Sequence, residues 1–369
     1  MARWLAVAPA IKSFTSPSLF EQDLLLSLQH LRRAGHDVYL LTSLAPYQAA
    51  SAVRSFYESV GIPATLVPEE KQRSGTHQPR NQMQSDAYGL PSESVAHFLR
   101  DLELLMNDWP PDAVWCHGSR PWMVAERAHR RRIPTVVRSV GDTTDRSLNR
   151  RVAGVATVFA AASPTERRSY AGMPKSAHLL PLLSLAQQLR PSRPPFPARP
   201  LRVAYILPDT GADALKILYD IIAPGVRLAA PNGFVFHVAA DPLPALVQSA
   251  PDIIFDPKIP NVESFLADSD IAIVPPTTQP MAVTEALSIL CQTIPTITQR
   301  NILGGFPYID GVNVMIANSD DDYAQKLLAL RDPLLRARVS MGAASQSTRL
   351  FNEDLLAEYM DRIISAVLR

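Results

Sequence analysis

The sequence predicts an α/β protein of two doubly wound domains, and three observations carry that expectation. Apolar runs of strand length alternate with amphipathic helical stretches, the connections between them are short, and a proline-dense break divides the alternation in two. At 369 residues, each half is long enough to bury a core of its own.

The first unit reads strand, helix, strand: "RWLAVAP", "SPSLFEQDLLLSLQHLRRAGH" and "DVYLLTS". Ser18 and Glu21 have the spacing of a capping box, Phe20, Leu24, Leu28 and Leu31 share one helical face, and Gly35 ends the helix. That is a parallel βαβ unit. The pattern returns with "DAVWCHG", a helix over "PWMVAERAHRRR", "PTVVRSVGD", a further helix and "VATVFAAAS". Between 66 and 95 the chain is polar with almost no apolar periodicity, which predicts a long excursion loop, either mobile or functional.

Five prolines fall within the twelve residues of "LRPSRPPFPARP", 189 to 200. Such a segment cannot hold a helix or a central strand, so it reads as a semi-rigid spacer. The expected boundaries are an N-terminal domain over 1–188, a linker over 189–200 and a second domain from 201 to 350. The second half restarts the rhythm: "RVAYILP", helix "ADALKILYDII", "FVFHVAA", helix "PLPALVQSA", "DIIFDP", helix "NVESFLADS", "DIAIVPP", a helix within "PMAVTEALSILCQTIP", "TIPTITQ" and a small strand at "NVMIA". Two such domains imply a central cleft, the default ligand site because open α/β sheets bind at the carboxyl ends of their strands.

Hydrophobic residues at 47%, charged residues at 19% and a net charge of +1 exclude a disordered or polyanion-seeking chain. Cys116 and Cys291 lie far apart in apolar surroundings, which predicts a reduced, cytosolic chain. The opening "MARWLAVAPAIKS" reads as a buried strand rather than a signal peptide, since Pro9 breaks its apolar run. No run approaches the roughly 18 apolar residues of a membrane helix. A metal-dependent hydrolase or a nucleic-acid binder finds no ligand cluster, no G-x-S-x-G and no basic-aromatic face.

Several stretches converge on one family. "RRAGHDVYLLTS", "PPDAVWCHGSRP", "VATVFAAASPTERRSY", "DPKIPNVESFLADSDIAIVPP", "GGFPYIDGVNVMIANSDDDYAQKLLALRDPLLRARVS" and "FNEDLLAEYMDRIISAVLR" resemble the successive landmarks of retaining family-four glycosyltransferases with the GT-B fold. The resemblance spans nearly the whole chain and is most specific from 252 to 340. It implies two Rossmann-like domains facing the cleft, the first binding acceptor and the second a nucleoside diphosphate sugar, with the closing helix 351–369 packing back on the N-terminal domain. It implies no metal and no cofactor besides that co-substrate. A helix N-terminus concentrates unsatisfied N–H groups and positive dipole, which a diphosphate completes.

The family's donor loop carries two glutamates eight positions apart, the second seven residues before a proline. Counting back from Pro295 gives Ser288 and Pro280, so in that register both acids are missing. Aligning "TEAL" with the family's "LEAM" instead puts the ribose-binding glutamate at Glu285, with about one extra helical turn before the proline. In this preferred register Pro280, Met281, Ala282, Val283 and Thr284 form the phosphate-facing entrance and Gln279 is the nearest polar substitute for the absent first glutamate. Glu285 is otherwise a first-turn acid favoured by the dipole alone.

Other positions depart from the family. Its lysine-glycine pair is replaced by Thr210–Gly211, and Lys216, two turns down, reads as surface. Lys258 and Ile259 match a loop passing over the nucleotide base, and Lys258 is otherwise an exposed loop lysine. On the acceptor side, His117 is either a histidine bonded to backbone or a ligand contact; Arg138 and Asp142 are either acceptor contacts or a structural ion pair. These three are the catalytic candidates. Lys12 and Ser16 stand where the family has a glycine-rich first loop. The basic run Arg127 to Arg132 is either a solvated helix end or a dock for an anionic membrane face, where lipid-linked acceptors live.

The expectation is therefore a metal-independent, retaining glycosyltransferase acting on a small-molecule or lipid-linked acceptor, such as a secondary-metabolite intermediate. The rival is a non-catalytic glycosyltransferase-like subunit that keeps the fold without turnover, supported by the missing motif residues.

Overall fold

The structure is a computed structural model that describes all residues except 12–17, 45–49, 69–91, 119–121, 140–153, 171–175, 193–199, 208–211, 240–249, 257–261 and 276–281. The chain divides into two compact units, Met1–Ser184 with Leu356–Arg369, and Leu185–Leu355.

The first unit holds a seven-stranded sheet in the order β3-β2-β1-β4-β5-β6-β7. Its strands are β1 (Arg3–Ile11), β2 (Asp37–Leu44), β3 (Ala64–Pro68), β4 (Ala113–His117), β5 (Thr135–Arg138), β6 (Val158–Ala161) and β7 (Ser176–Leu179). All neighbours pair in parallel. A parallel sheet covered on both faces needs apolar residues on both, and β4, β5 and β6 are buried throughout.

The Leu19–Arg33 helix forms as its sequence dictates. Ser18 accepts from the Glu21 N–H while the Glu21 carboxylate accepts from the Ser18 N–H, the reciprocal capping box. At the other end the Gly35 N–H donates to Arg32 O and the His36 N–H to Leu31 O, and Gly35 takes φ +82°, a Schellman stop that a side chain would strain. Leu24, Leu28 and Leu31 are buried on the sheet, whereas Phe20 is partly exposed.

The second unit holds a six-stranded parallel sheet ordered β10-β9-β8-β11-β12-β13. Its strands are β8 (Leu201–Ile206), β9 (Phe234–Ala239), β10 (Ile253–Asp256), β11 (Ile271–Ile273), β12 (Thr296–Thr298) and β13 (Met315–Ile316). Each unit begins 3-2-1-4, the doubly wound order, with its switch point between β1 and β4 or between β8 and β11. The helix predicted over "ADALKILYDII" runs from Ala212, passes through a π-turn at Leu218–Ile222 and continues to Ala229. Pro224 lies just beyond that turn and has no N–H to give the ladder.

Several details differ from the sequence reading. The region expected as loop from 66 to 95 contains the end of β3, and a helix, Ser92–Asp108, already begins at Ser92. The Ala50–Ser59 helix and β7 were not anticipated. The expected linker begins inside the second unit: Gln292 Nε2 donates to the Gln188 side chain at 2.9 Å, and Thr293 Oγ1 donates to Pro191 O at 2.8 Å. The prolines restrict φ, but these hydrogen bonds decide to which core the segment belongs. The Glu353–Val367 helix lies at the other junction, and His30 Nε2 meets Asp361 Oδ1 at 2.8 Å within the first unit. The helix expected over "PLPALVQSA" lies outside the described residues.

Candidate functional site

In the second unit, β8 and β11 run side by side, with Tyr205 opposite Ile273. The chain leaving β11 enters the Ala282–Cys291 helix, so that helix starts at the carboxyl edge of the switch point. Ala282 is its first residue, Val283 is partly exposed, Thr284 is buried and Glu285 is half-buried in the first turn. Ser288, the position demanded by counting back from Pro295, is only 4% exposed within the helix. Of the two candidate registers, only the one through Glu285 leaves an acid with surface to offer a ligand. Cys291 closes the helix in the core, where burial pushes its thiol up to about 12, outside the range of a reactive thiolate.

Thr284, Ser288 and Gln292 form a buried polar stripe at helical spacing. Beyond the helix, Ser340 Oγ donates to Thr293 O at 2.7 Å, tying the Pro333–Phe351 helix to it. Tyr308 Oη and Ser347 Oγ lie 3.0 Å apart, and Ser347 also bonds the Cys291 thiol. Polar bonds of this kind fix the helix axially, which apolar packing alone does poorly.

Gln279, Pro280, Met281, Lys258, Ile259, Lys12, Ser16 and Asp142 lie outside the described residues, as does Thr210–Gly211. Lys216 is exposed on its helix.

The first unit brings together His117 and Arg138, but not as an acceptor site. Arg138 ends β5 and is fully buried. Its Nε donates to Asp23 Oδ2 at 3.1 Å, and its Nη2 donates to Asp23 Oδ1 at 3.3 Å and to Pro181 O at 3.0 Å. Its Nη1 donates to Ser139 O at 3.0 Å and to Leu180 O. A guanidinium carries five N–H donors, so none remains for an acceptor. The sequence expectation of an acceptor contact is corrected: Arg138 is a structural clamp, and its described ionic partner is Asp23.

His117 ends β4 and is likewise fully buried. Its Nε2 sits 3.3 Å from Phe20 O and 3.7 Å from Asp23 Oδ2, and its Nδ1 accepts from Trp115 Nε1 at 3.4 Å. These partners assign the proton to Nε2. Phe20 meets the ring edge-on at 4.6 Å. Burial, reinforced by the Arg138 charge and opposed by Asp23, lowers the imidazole pKa to about 4. A neutral, sealed imidazole cannot meet an acceptor, so His117 too is corrected to a structural role. Asp23, the centre of this cluster, also accepts from the Leu183 N–H at 2.5 Å. It went unread as a functional position; the available signal was an acid beside Leu24 on the helix's inward face.

The basic run is also tied down. Arg127 Nε donates to Glu103 Oε1 at 3.0 Å, Arg131 Nη1 donates to Asn107 Oδ1 at 3.0 Å with its Nη2 on Glu103, and Arg130 lies 3.9 Å from Glu126. Much of its charge is thus met by acids within the fold. Among the described residues no helix is long and apolar enough to cross a membrane, and no group of His, Cys, Asp or Glu is placed to hold a metal ion.

Two parallel-sheet units of this order define the GT-B class of glycosyltransferase folds, and solved structures agree over the full chain. Anabaena Alr3699/HepE in complex with UDP-glucose is 14% identical, covering 99% of this chain and 100% of its own, with a TM-score of 0.63. Sucrose-phosphate synthase from Thermosynechococcus elongatus is 12% identical, covering 98% of each chain, with a TM-score of 0.67. The E. coli structure described as trehalose-6-phosphate bound with UDP-2-fluoro glucose is 10% identical, covering 99% of each chain, with a TM-score of 0.64. Residues 24–180 match the family model described as the glycosyl transferase 4-like domain. The resemblance to family-four glycosyltransferases is borne out by this domain and by the fold. No curated protein matches the sequence.

Proposed function

We propose that this chain is a glycosyltransferase that moves a sugar from a nucleoside diphosphate donor to a hydroxyl of a small-molecule or lipid-linked acceptor, with retention of configuration and without a metal. The observation that carries the proposal is the Ala282–Cys291 helix, which starts at the switch point of a GT-B second unit with half-buried Glu285 in its first turn. The helix N-terminus receives the diphosphate, and Glu285 accepts hydrogen bonds from two ribose hydroxyls. In the reaction the bond from the anomeric carbon to the diphosphate breaks, and the acceptor oxygen bonds to that carbon on the same face. The departing diphosphate takes the acceptor's proton. Backbone donors aimed at the leaving oxygens stabilise charge that grows in the transition state. The sequence has no plausible nucleophile at a position matching the family's, so an oxocarbenium-like state is the proposed route. Because similar structures were solved with UDP, UDP-glucose and UDP-2-fluoro glucose, uridine diphosphate sugars are the first donors to test.

The second reading, a non-catalytic subunit that binds without turnover, is favoured by the structural roles of Arg138 and His117, which remove two catalytic candidates. Donor hydrolysis and transfer, assayed across UDP and GDP sugars with Glu285→Ala beside the wild type, separate the two. Turnover that the substitution abolishes supports the enzyme; binding without turnover in the wild type supports the subunit.

A further inference from the structure

Ile297, in the middle of β12, packs into the cluster of Tyr205, Ile273 and Tyr323, so Thr296 and Thr298 face the other side of the sheet. The Ala282–Cys291 helix covers that side, where Val274, Ala286, Ile289 and Ile302 form a second cluster. Thr296 Oγ1 donates to Ile294 O at 2.8 Å. Thr298 is also fully buried, but its hydroxyl has no hydrogen-bond partner among the described residues. It is the last residue of β12, and the register that pairs Ile273 with Ile297 sets it level with Val274, whose cluster includes Ala286, next to Glu285. The unmet hydroxyl thus stands at the carboxyl edge of the sheet, on the side of the helix start. Two residues on, Arg300 opens the Arg300–Leu303 3₁₀ turn, whose Ile302 packs against the same helix. Arg300 is exposed, and among the described residues no acid or carbonyl holds its guanidinium, whereas Arg190 pairs with Glu263 and Arg227 with Asp252.

We infer that Arg300 and Thr298 complete the anion site at the start of this helix, Arg300 as counter-charge to the donor diphosphate and Thr298 as a hydroxyl donor to one of its oxygens. The inference rests on the nucleotide-sugar reading above. Both side chains and the backbone of the helix's first turn lie within the described residues. A helix N-terminus brings only about half a unit of positive charge. A leaving diphosphate gathers more negative charge than that, so a metal-free site needs a side-chain cation as well. A guanidinium offers phosphate oxygens two parallel N–H groups, and its charge persists at any working pH. A hydroxyl buried without a partner costs stability, and a ligand oxygen at the helix start supplies the missing bond.

The test compares the affinity of UDP with that of uridine, and of GDP with guanosine, by calorimetry on the full chain. The ratio isolates the diphosphate. Arg300→Gln and Thr298→Val are measured beside Arg338→Gln, which removes an exposed arginine two residues from Ser340, the residue bonded to Thr293 beyond the other end of the candidate helix. The inference expects the diphosphate-to-nucleoside ratio to fall about tenfold in Arg300→Gln and about fivefold in Thr298→Val, and to hold in Arg338→Gln. Thr298→Val keeps the branched shape and removes the unmet hydroxyl, so the ligand-free thermal midpoint is expected to rise while the diphosphate binds more weakly. A threonine with a merely structural role would not move the two in opposite directions. An unchanged ratio in Arg300→Gln or in Thr298→Val, with UDP or GDP still bound, overturns the inference alone. A ratio that falls equally in Arg338→Gln also overturns it, as a general effect of lost positive charge. Absence of any nucleoside diphosphate binding by the wild type overturns the reading beneath it as well.

Discussion

Asp23 and Arg138 face each other fork to fork in the core of the first unit, Nε to Oδ2 at 3.1 Å and Nη2 to Oδ1 at 3.3 Å, with neither side chain exposed. The pair joins the Leu19–Arg33 helix to the end of β5, and Arg138 and Asp23 between them also hold the backbone of Leu180, Pro181 and Leu183. Three separate stretches of chain thus converge on one ion pair.

Removing one partner should therefore be costly. Arg138→Met leaves the Asp23 carboxylate buried without its counter-charge, and a loss of about 3–5 kcal/mol is expected in urea unfolding. The double variant Asp23→Leu with Arg138→Met has no stranded charge and should be more stable than Arg138→Met alone. Additive losses would argue that the two side chains are not coupled.

His117 supplies a pH dependence whose sign is fixed. Its folded pKa of about 4 lies below the ordinary 6.5, so between these values the unfolded chain binds a proton that the folded chain refuses. Stability from this group is complete above pH 6.5 and is lost as pH falls toward 4, by about 3 kcal/mol at most. His117→Gln keeps a donor and an acceptor but cannot titrate. The difference between wild type and this variant, followed by urea unfolding from pH 7 to 4, should shift against the wild type as pH falls; a flat difference would refute the assignment.

Gly342 is required by a close approach. A Cβ placed there would stand 2.1 Å from Val312 O and 2.9 Å from Val312 C, backbone atoms of the turn that the Pro333–Phe351 helix crosses. Alanine gains about 1 kcal/mol of helix propensity over glycine, but displacing backbone costs about 1–3 kcal/mol and more when nothing can yield. Gly342→Ala is expected to lower the thermal midpoint, and a raised midpoint would contradict the contact.

Much of this architecture was legible because it is local. The capping box at Ser18 and Glu21, the Gly35 stop and the strands from "DAVWCHG" to "TIPTITQ" all follow from residues within a turn or a strand of each other. What escaped depends on distance or on weak patterning. β3, "ATLVP", is short and ends in proline, and it is a strand because it pairs with Leu40 to Leu44. Asp23 resembles a solvated helical acid until its partner appears 115 residues away. The same separation made Arg138 and His117 look available to ligand. The placing of Glu285 in a first helical turn was legible because it depends on one local helix start, and that helix begins at Ala282.

The central claim is that the Ala282–Cys291 helix presents a donor site. Calorimetric titration of UDP-glucose and the corresponding GDP sugar into wild type and Glu285→Ala tests it most directly. The account predicts binding of one nucleotide sugar per chain, weakened about tenfold or more by Glu285→Ala through lost charge-assisted ribose bonds. No heat of binding from any UDP or GDP sugar at about 1 mM, a free energy weaker than about −4 kcal/mol, would contradict it.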